Sequence, residues 1–415
     1  MLTINPDRML SAFQALSEIG ATGDGGVHRP TFSEAHLAAR KWYRTEIERA
    51  DLEFHADGAG NHSAVLPSSD PKNQTLLLGS HLDSVPHGGR YDGALGVMAA
   101  FEVLRTIKDA GIKLAMNLEA IDFTDEEGTL VGLLGSTALA GRLKREHLQN
   151  PRGGREALVE GMKRAGLDDD SLLSAGRNQK MPGGYLELHI EQGKRLEQAG
   201  VRVGIVTSIV GIASYRLTFI GRADHAGTTT MQDRLDASQG ASAFTLAARE
   251  IVLRDFPAGV VNVGKMEFAP GAFNIIPSEV IVSLEFRAPT DDEFKNLDTA
   301  LIEQARIEAR RYGLELTVEF LGKHSPTPMS DKAQQVLTHA CDSLGLTHMP
   351  LYSGAGHDAQ SLARLCPVGM IFIPSVDGAS HSPREFSRWE DCVNGANVLL
   401  QAALGFASGP SATLG

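Results

Sequence analysis

Residues 75–128, TLLLGSHLDSVPHGGRYDGALGVMAAFEVLRTIKDAGIKLAMNLEAIDFTDEEG, carry the pattern on which the fold turns. TLLLGSHLD (75–83) is a short apolar run of strand type. GVMAAFEVLRTIKDAG (96–111) follows with apolar residues at helical spacing and a glycine stop, and NLEAIDFTDEE (117–127) returns as the next strand. Strand, helix, strand in this order predicts an α/β sheet with helices on its faces. Outward from this unit, the polar stretch 150–183 reads as loop, and YLELHIEQG (185–193) resumes the sheet with period-two alternation.

From about 209 the pattern changes to longer strands with two helical stretches between them, which predicts an open sheet covered by two helices on one face, of α+β type. GKHSPTP (322–328) reads as the linker that closes this insertion. Residues 329–415 revert to helix and strand alternation, with a final helix from 389 and a tail, ASGPSATLG (407–415), expected to fray. The expected organisation is a mixed-sheet α/β domain in two parts, 1–208 and 326–415, interrupted by an α+β insertion over 209–325.

A chain of 415 residues exceeds the usual size of a single core, and its 42% hydrophobic and 22% charged residues exclude disorder and fibre. The formal charge of -12 repels phosphate backbones and anionic lipid, so neither nucleic acid nor a membrane surface is an expected partner. Cys341, Cys366 and Cys392 fit neither a disulfide framework nor a metal clamp and read as reduced thiols. With no secretory signal or membrane anchor visible at the N-terminus, the expected location is the cytoplasm.

His81 and Asp83 sit two apart at a strand end and share a face. Asp83 can then supply the oxygen that orients a metal-bound imidazole. Asp92 lies in a Tyr-Asp-Gly turn, Glu126 and Glu127 close a strand side by side, and His189 shares a strand face with Glu187 and Glu191. His381 lies in a Gly/Ser/Pro loop, with Glu385 four residues beyond. Alone, each is the ordinary solvated turn, acidic corner or core histidine. Together, His81, Asp92, Glu127, His189 and His381 all fall at or just past the C-terminal edge of a strand, where open α/β sheets bind ligands. Mixed imidazole and carboxylate donors suit Zn²⁺, Mn²⁺ or Co²⁺, and one bridging carboxylate with two further ligands per ion is a two-metal hydrolase arrangement.

The ordered set SHLDSVPHGGRYDGALG, FTDEEG, LELHIEQG, ADHAGTTTMQDRLDA, FNIIP, GAGHDAQ and SHSPREF, spread over about 79–386, resembles the di-metal amidohydrolase branch of the aminoacylase and carboxypeptidase-type metallopeptidase clan. That branch includes N-carbamoyl-L-amino-acid hydrolases, β-ureidopropionases and allantoate amidohydrolases. The resemblance implies a catalytic α/β domain with an inserted lid and dimerisation domain, a homodimer, and a small carbamoyl or ureido acid as substrate. It implies one divalent ion on His81, Asp92 and His189 and a second on Asp92, Glu127 and His381, with Asp83 behind His81. Glu126 matches the family's general base and His225 its oxyanion-stabilising histidine, which reaches the site of the neighbouring subunit.

Arg287 ends a strand whose Ile281, Ser283, Glu285 and Arg287 share a face, and it matches the family's carboxylate clamp. Asn274 and Gln192 match positions that hydrogen-bond the substrate, and Gly356 with His357 lies in a loop that lets main chain approach it. Two departures stand out. Thr230 replaces a proline common in relatives behind His225, and VGIASYR lacks a glutamine that allantoate-hydrolysing relatives often show.

Overall fold

The computed structural model describes residues 1–178 and 181–407. The strands in chain order are β1 (Glu53–Ala56), β2 (His62–Leu66), β3 (Thr75–His81), β4 (Asn117–Phe123), β5 (Pro182–Ile190), β6 (Val203–Ile209), β7 (Gly211–Ile220), β8 (Val260–Ala269), β9 (Glu279–Ala288), β10 (Glu315–His324), β11 (Thr327–Pro328), β12 (His348–Ser353) and β13 (Val368–Ile373). The chain divides into two compact units: one of Met1–Thr207, Met329–Leu351 and Gly356–Gly415, the other of Ser208–Pro328 and Tyr352–Ala355.

The first unit is an α/β layer structure. Its sheet runs β1-β2-β4-β3-β5-β13-β6, with β12 also pairing β6. β4, β3, β5 and β13 are mutually parallel, and β2 and β6 flank them antiparallel. β3, β4 and β5 are buried almost end to end, so the period-two alternation read in 185–193 marks no solvated face: Glu119 and Asp122 of β4 and Glu187 and His189 of β5 lie inside with the apolar residues. The helix Ala94–Asp109, nearly all of it buried, packs with Trp389–Ala407 against this sheet in one core. β3 lies between β4 and β5, so chain order reverses there, the point at whose carboxyl edge a doubly wound sheet is expected to bind a ligand.

The second unit is a four-stranded antiparallel sheet, β10-β7-β9-β8. Along β9, Val280, Val282, Leu284, Phe286 and Ala288 alternate inward and pack with the helices Ala237–Asp255 and Asp291–Arg311. Asp236 and Thr290 cap these helices by accepting from Ser238 and Glu293 main-chain N–H groups.

Two segments depart from the sequence expectation. The stretch 150–183 contains the helices Arg155–Ala165 and Asp169–Leu173. The longer of them buries only Leu158, Gly161 and Met162, a stripe too narrow to register among its charges. GKHSPTP is no free linker, because β10 continues to His324, paired with Ile212, and β11 pairs with the end of β6. All three cysteines are free and buried. No described helix is long and apolar enough to cross a membrane. Beyond Ala407, the tail expected to fray lies outside the described residues.

Candidate active site

Five chain segments deliver the predicted ligands to the carboxyl edge of the parallel strands. His81 is the last residue of β3, His189 the penultimate residue of β5, Glu126 and Glu127 follow β4, and His381 follows β13. Asp92 precedes the helix Ala94–Asp109 across Gly93, whose φ of +62° favours glycine. A Cβ at Gly93 would also lie 2.4 Å from the His81 ring, so this position must be glycine for His81 to keep its place. Asp125, Gln192 and His381 are non-glycine residues at positive φ, and such conformations cluster where the surrounding structure serves a site.

Asp92 is the hub. Its Oδ1 lies 3.1 Å from His189 Nε2 and 3.5 Å from His81 Nε2, and its Oδ2 lies 3.4 Å from His381 Nε2. Glu127 Oε2 is 3.4 Å from the same His381 nitrogen. Two donor sets therefore share Asp92: His81, Asp92 and His189, and Asp92, Glu127 and His381. Donor atoms bound at about 2.0–2.1 Å in a tetrahedron stand about 3.4 Å apart, which is the spacing found here. Glu126 Oε2 lies 3.5 Å from His81 Nε2, while Glu127 reaches His381, so the adjacent glutamates face different parts of the site.

The ring orientations suit metal binding. His81 Nδ1 faces the main-chain carbonyl of Asp83 at 3.0 Å, and His189 Nδ1 faces that of Ile190 at 2.9 Å. A carbonyl only accepts, so each Nδ1 carries its proton and each Nε2 turns toward the carboxylates. His81 Nε2 and Glu127 Oε1 are buried without a hydrogen-bond partner, the condition a bound cation relieves. The residues present therefore fit a divalent metal.

The oxygen of Asp83 that orients His81 is its carbonyl, whereas shared-face logic pointed to its carboxylate. β3 ends at His81 and the chain turns before Asp83. The Asp83 carboxylate, 1% exposed, instead accepts the main-chain N–H groups of Glu126 and Glu127, both at 3.3 Å, and the Thr31 hydroxyl at 3.0 Å. Asp125 adds a second anchor by accepting from Leu130, Val131 and Gly132 main-chain N–H groups. The glutamate corner is thus held from both sides.

Burial alone would raise Asp92, but the imidazoles of His189, His381 and His81 hold its carboxyl well below the usual range. Burial, then the Asp92 charge, pushes Glu127 up to about 8, and burial also holds Glu126 well above its ordinary value. Burial disfavours a charged His81, yet Glu126, Asp92 and Asp83 hold its pKa well above the ordinary value. Hydrogen bonding to Asp92 lifts His381 to about 9. Behind the ligands, burial raises Glu187 and Asp358 as well. So many carboxyls in one desolvated region favour the arrival of positive charge.

Gln192 donates Nε2 to Asp92 Oδ2 at 2.7 Å, and its Oε1 is buried without a partner. His357 is 2% exposed and packs edge-on against His189 with ring centroids 4.6 Å apart; burial and His189 hold it well below its ordinary pKa. Gly356 leads into it, close to Gln360. His225, Asn274 and Arg287 belong to the second unit. There His225 Nδ1 accepts the Gly227 N–H at 3.0 Å, so the neutral ring carries its proton on Nε2, and the Ala226 N–H donates to the Asn274 carbonyl. Thr230 donates to Asp233 at 2.6 Å, a side-chain brace where relatives were expected to carry proline. Arg287 donates Nε and Nη2 to Glu285 and Nη1 to the Gly354 carbonyl.

Sequence reasoning passed over Glu385 and Ser380. The Glu385 carboxylate accepts the N–H groups of Tyr91 and Asp92, and Ser380 bridges it to Asp92. The nearness of Glu385 to His381 in SHSPREF was visible, but its partners lie 293 and 294 positions away.

The model of Peptidase family M20/M25/M40 matches residues 77–405. An N-carbamoyl-L-amino acid amidohydrolase of Geobacillus stearothermophilus is 38% identical over 98% of this chain and 100% of its own length. An allantoate amidohydrolase of Bacillus subtilis is 32% identical over 92% of this chain and 93% of its own. Among solved structures, an amidase of the hydantoinase/carbamoylase family from Burkholderia multivorans superposes with a TM-score of 0.89 at 32% identity, covering 99% of each chain. With a match across most of its length and relatives of this identity, the chain belongs to peptidase family M20/M25/M40.

Proposed function

We propose that the protein is a metal-dependent hydrolase that cleaves the carbamoyl C–N bond of N-carbamoyl-L-amino acids, releasing the free amino acid, carbon dioxide and ammonia. His81, Asp92 and His189 would hold one divalent ion, and Asp92, Glu127 and His381 a second, whether Zn²⁺, Mn²⁺ or Co²⁺. Such ions, when bound, polarise the carbamoyl oxygen and activate water for attack near neutral pH. Glu126 takes the proton from the attacking water and delivers it to the leaving nitrogen, a task suited to a buried carboxyl whose pKa is raised. Gln192 is oriented by Asp92 so that its unpartnered Oε1 can accept a substrate N–H. Gly356 gives the main chain access to the substrate, and His357 backs His189.

Residues 209–325 serve as lid and dimerisation domain in this proposal. Arg287 clamps the substrate carboxylate, Asn274 hydrogen-bonds it, and His225 donates Nε2–H to the developing oxyanion in the partner subunit's site. A homodimer is supported by the free edge of β8 and by exposed apolar side chains on the second unit, among them Leu246, Leu253, Val260 and Phe268. The location proposed is the cytoplasm.

The observation that carries the proposal is the shared-Asp92 pair of donor sets, with Glu126 beside His81, in a chain that aligns end to end with the Geobacillus stearothermophilus amidohydrolase. Allantoate is the second candidate substrate, favoured by the Bacillus subtilis relative and disfavoured by the missing glutamine near VGIASYR. Ammonia release decides between them. Protein stripped with chelator and restored with Mn²⁺, Co²⁺ or Zn²⁺ is given N-carbamoyl-L-methionine, N-carbamoyl-β-alanine and allantoate in parallel. Metal-dependent release from the first is expected; release from allantoate alone would replace the substrate, and silence on all three would overturn the activity.

A further inference from the structure

Glu385 has no part in the chemistry above, yet it is 3% exposed and ties the segment carrying His381 to the one carrying Asp92. Its Oε1 accepts the main-chain N–H of Tyr91 at 2.8 Å and of Asp92 at 3.0 Å, and its Oε2 faces the Ser380 hydroxyl at 3.0 Å. The fold leaves room for this carboxylate at Gly89, where a Cβ would stand 2.0 Å from Glu385 Cδ and Oε1.

Ser380 has one hydroxyl proton and two carboxylate oxygens within reach. One is Glu385 Oε2, and the other is Asp92 Oδ2 at 3.1 Å. Asp92 Oδ2 is the oxygen that faces His381, and it already accepts from Gln192. A carboxylate oxygen offers two lone-pair sites. With Gln192 on one and the Ser380 proton on the other, none would remain for a cation.

We infer that Glu385 is a positioning residue for the cation held by Asp92, Glu127 and His381: it pins the Tyr91–Asp92 main chain and draws the Ser380 proton to itself, leaving a lone pair of Asp92 Oδ2 free for the metal. This rests on the ligand assignment proposed above. The first donor set uses Asp92 Oδ1 and is not subject to the same competition.

Glu385→Gln separates the two actions. An amide oxygen still accepts both main-chain N–H groups, but the amide nitrogen only donates, so the Ser380 hydroxyl must turn to Asp92 Oδ2. Removing that hydroxyl in the double variant Glu385→Gln/Ser380→Ala clears the oxygen again. The measurement is metal per chain by elemental analysis of Zn²⁺- or Mn²⁺-loaded full-length protein dialysed against graded chelator, with His381→Ala as the reference for loss of this cation.

The expected result is that Glu385→Gln loses one equivalent at about tenfold lower chelator and keeps the other, a loss of the size found for residues that orient metal ligands. The double variant regains it, and Ser380→Ala alone keeps both. Gly89→Ala, which displaces the carboxylate from the opposite side, should lose the same equivalent, so the inference stays testable if Glu385→Gln folds poorly. Two equivalents at unchanged affinity in Glu385→Gln, equal loss of both, or no recovery in the double variant would each overturn the inference. Two equivalents retained by His381→Ala would overturn the ligand assignment itself, which separates the two failures.

Discussion

His81, Asp92 and His189 are each less than a tenth exposed, the two imidazoles donating Nδ1–H to nearby main-chain carbonyls and Asp92 accepting from Gln192 a hundred residues away, whereas His225 and Asn274 stand exposed and Arg287 is a third exposed at a strand end. The difference follows from what each region must do. Donor atoms for a metal need fixed separations within a few tenths of an ångström, and the first unit encases the candidate donors at the ends of β3, β4, β5 and β13 and pins their loops with Asp83, Asp125 and Glu385. The groups proposed to meet a substrate must be reachable, and they lie on the second unit, where the Gly227 N–H orients His225 and Glu285 with the Gly354 carbonyl orients Arg287.

That contrast can be broken by measuring turnover and metal content together. Glu126→Gln should lower kcat by about two to four orders of magnitude, the usual contribution of a general acid–base group, with metal content unchanged. Full activity in this variant would remove Glu126 from proton transfer. His225→Ala should cost about two to three orders of magnitude in kcat, as for loss of one oxyanion donor, again at full metal occupancy. A variant that instead lost metal would place His225 in the other class.

Arg287→Lys should act mainly on KM, lowering kcat/KM about ten- to a hundredfold for carboxylate substrates, because an ammonium cannot reproduce the fork held by Glu285. An unchanged KM would remove Arg287 from the clamp. The smallest effect is expected from Thr230→Val, which deletes the brace to Asp233: a hydrogen bond of this kind contributes about 0.5–1.5 kcal/mol, so kcat should fall by less than about tenfold. A collapse of activity as large as that of His225→Ala would show that the loop depends on this one contact.

Much of the sheet could be seen in sequence because β3 and β13 are buried apolar runs and β4 and β5 alternate apolar with polar residues between polar loops, patterns that hydrophobicity reports. The helix Arg155–Ala165 escaped because it buries so little. The continuation of β10 to His324 escaped because glycine, histidine and lysine carry no strand signature, and pairing with β7 alone makes them strand.

Motif order and residue chemistry were enough to single out His81, Asp92, Glu127, His189 and His381 as candidate donors, since few residue types bind metal, and the structure gathers them into two groups that share Asp92. The tertiary structure alone decided which atom performs which task. It turned the Asp83 carbonyl to His81 and the Asp83 carboxylate to the glutamate corner, split the two oxygens of Asp92 between two donor sets, and brought Glu385 to Tyr91 and Asp92. A one-dimensional pattern records which face or end a residue occupies, but a hydrogen bond between segments nearly three hundred residues apart exists only once the chain has closed on itself.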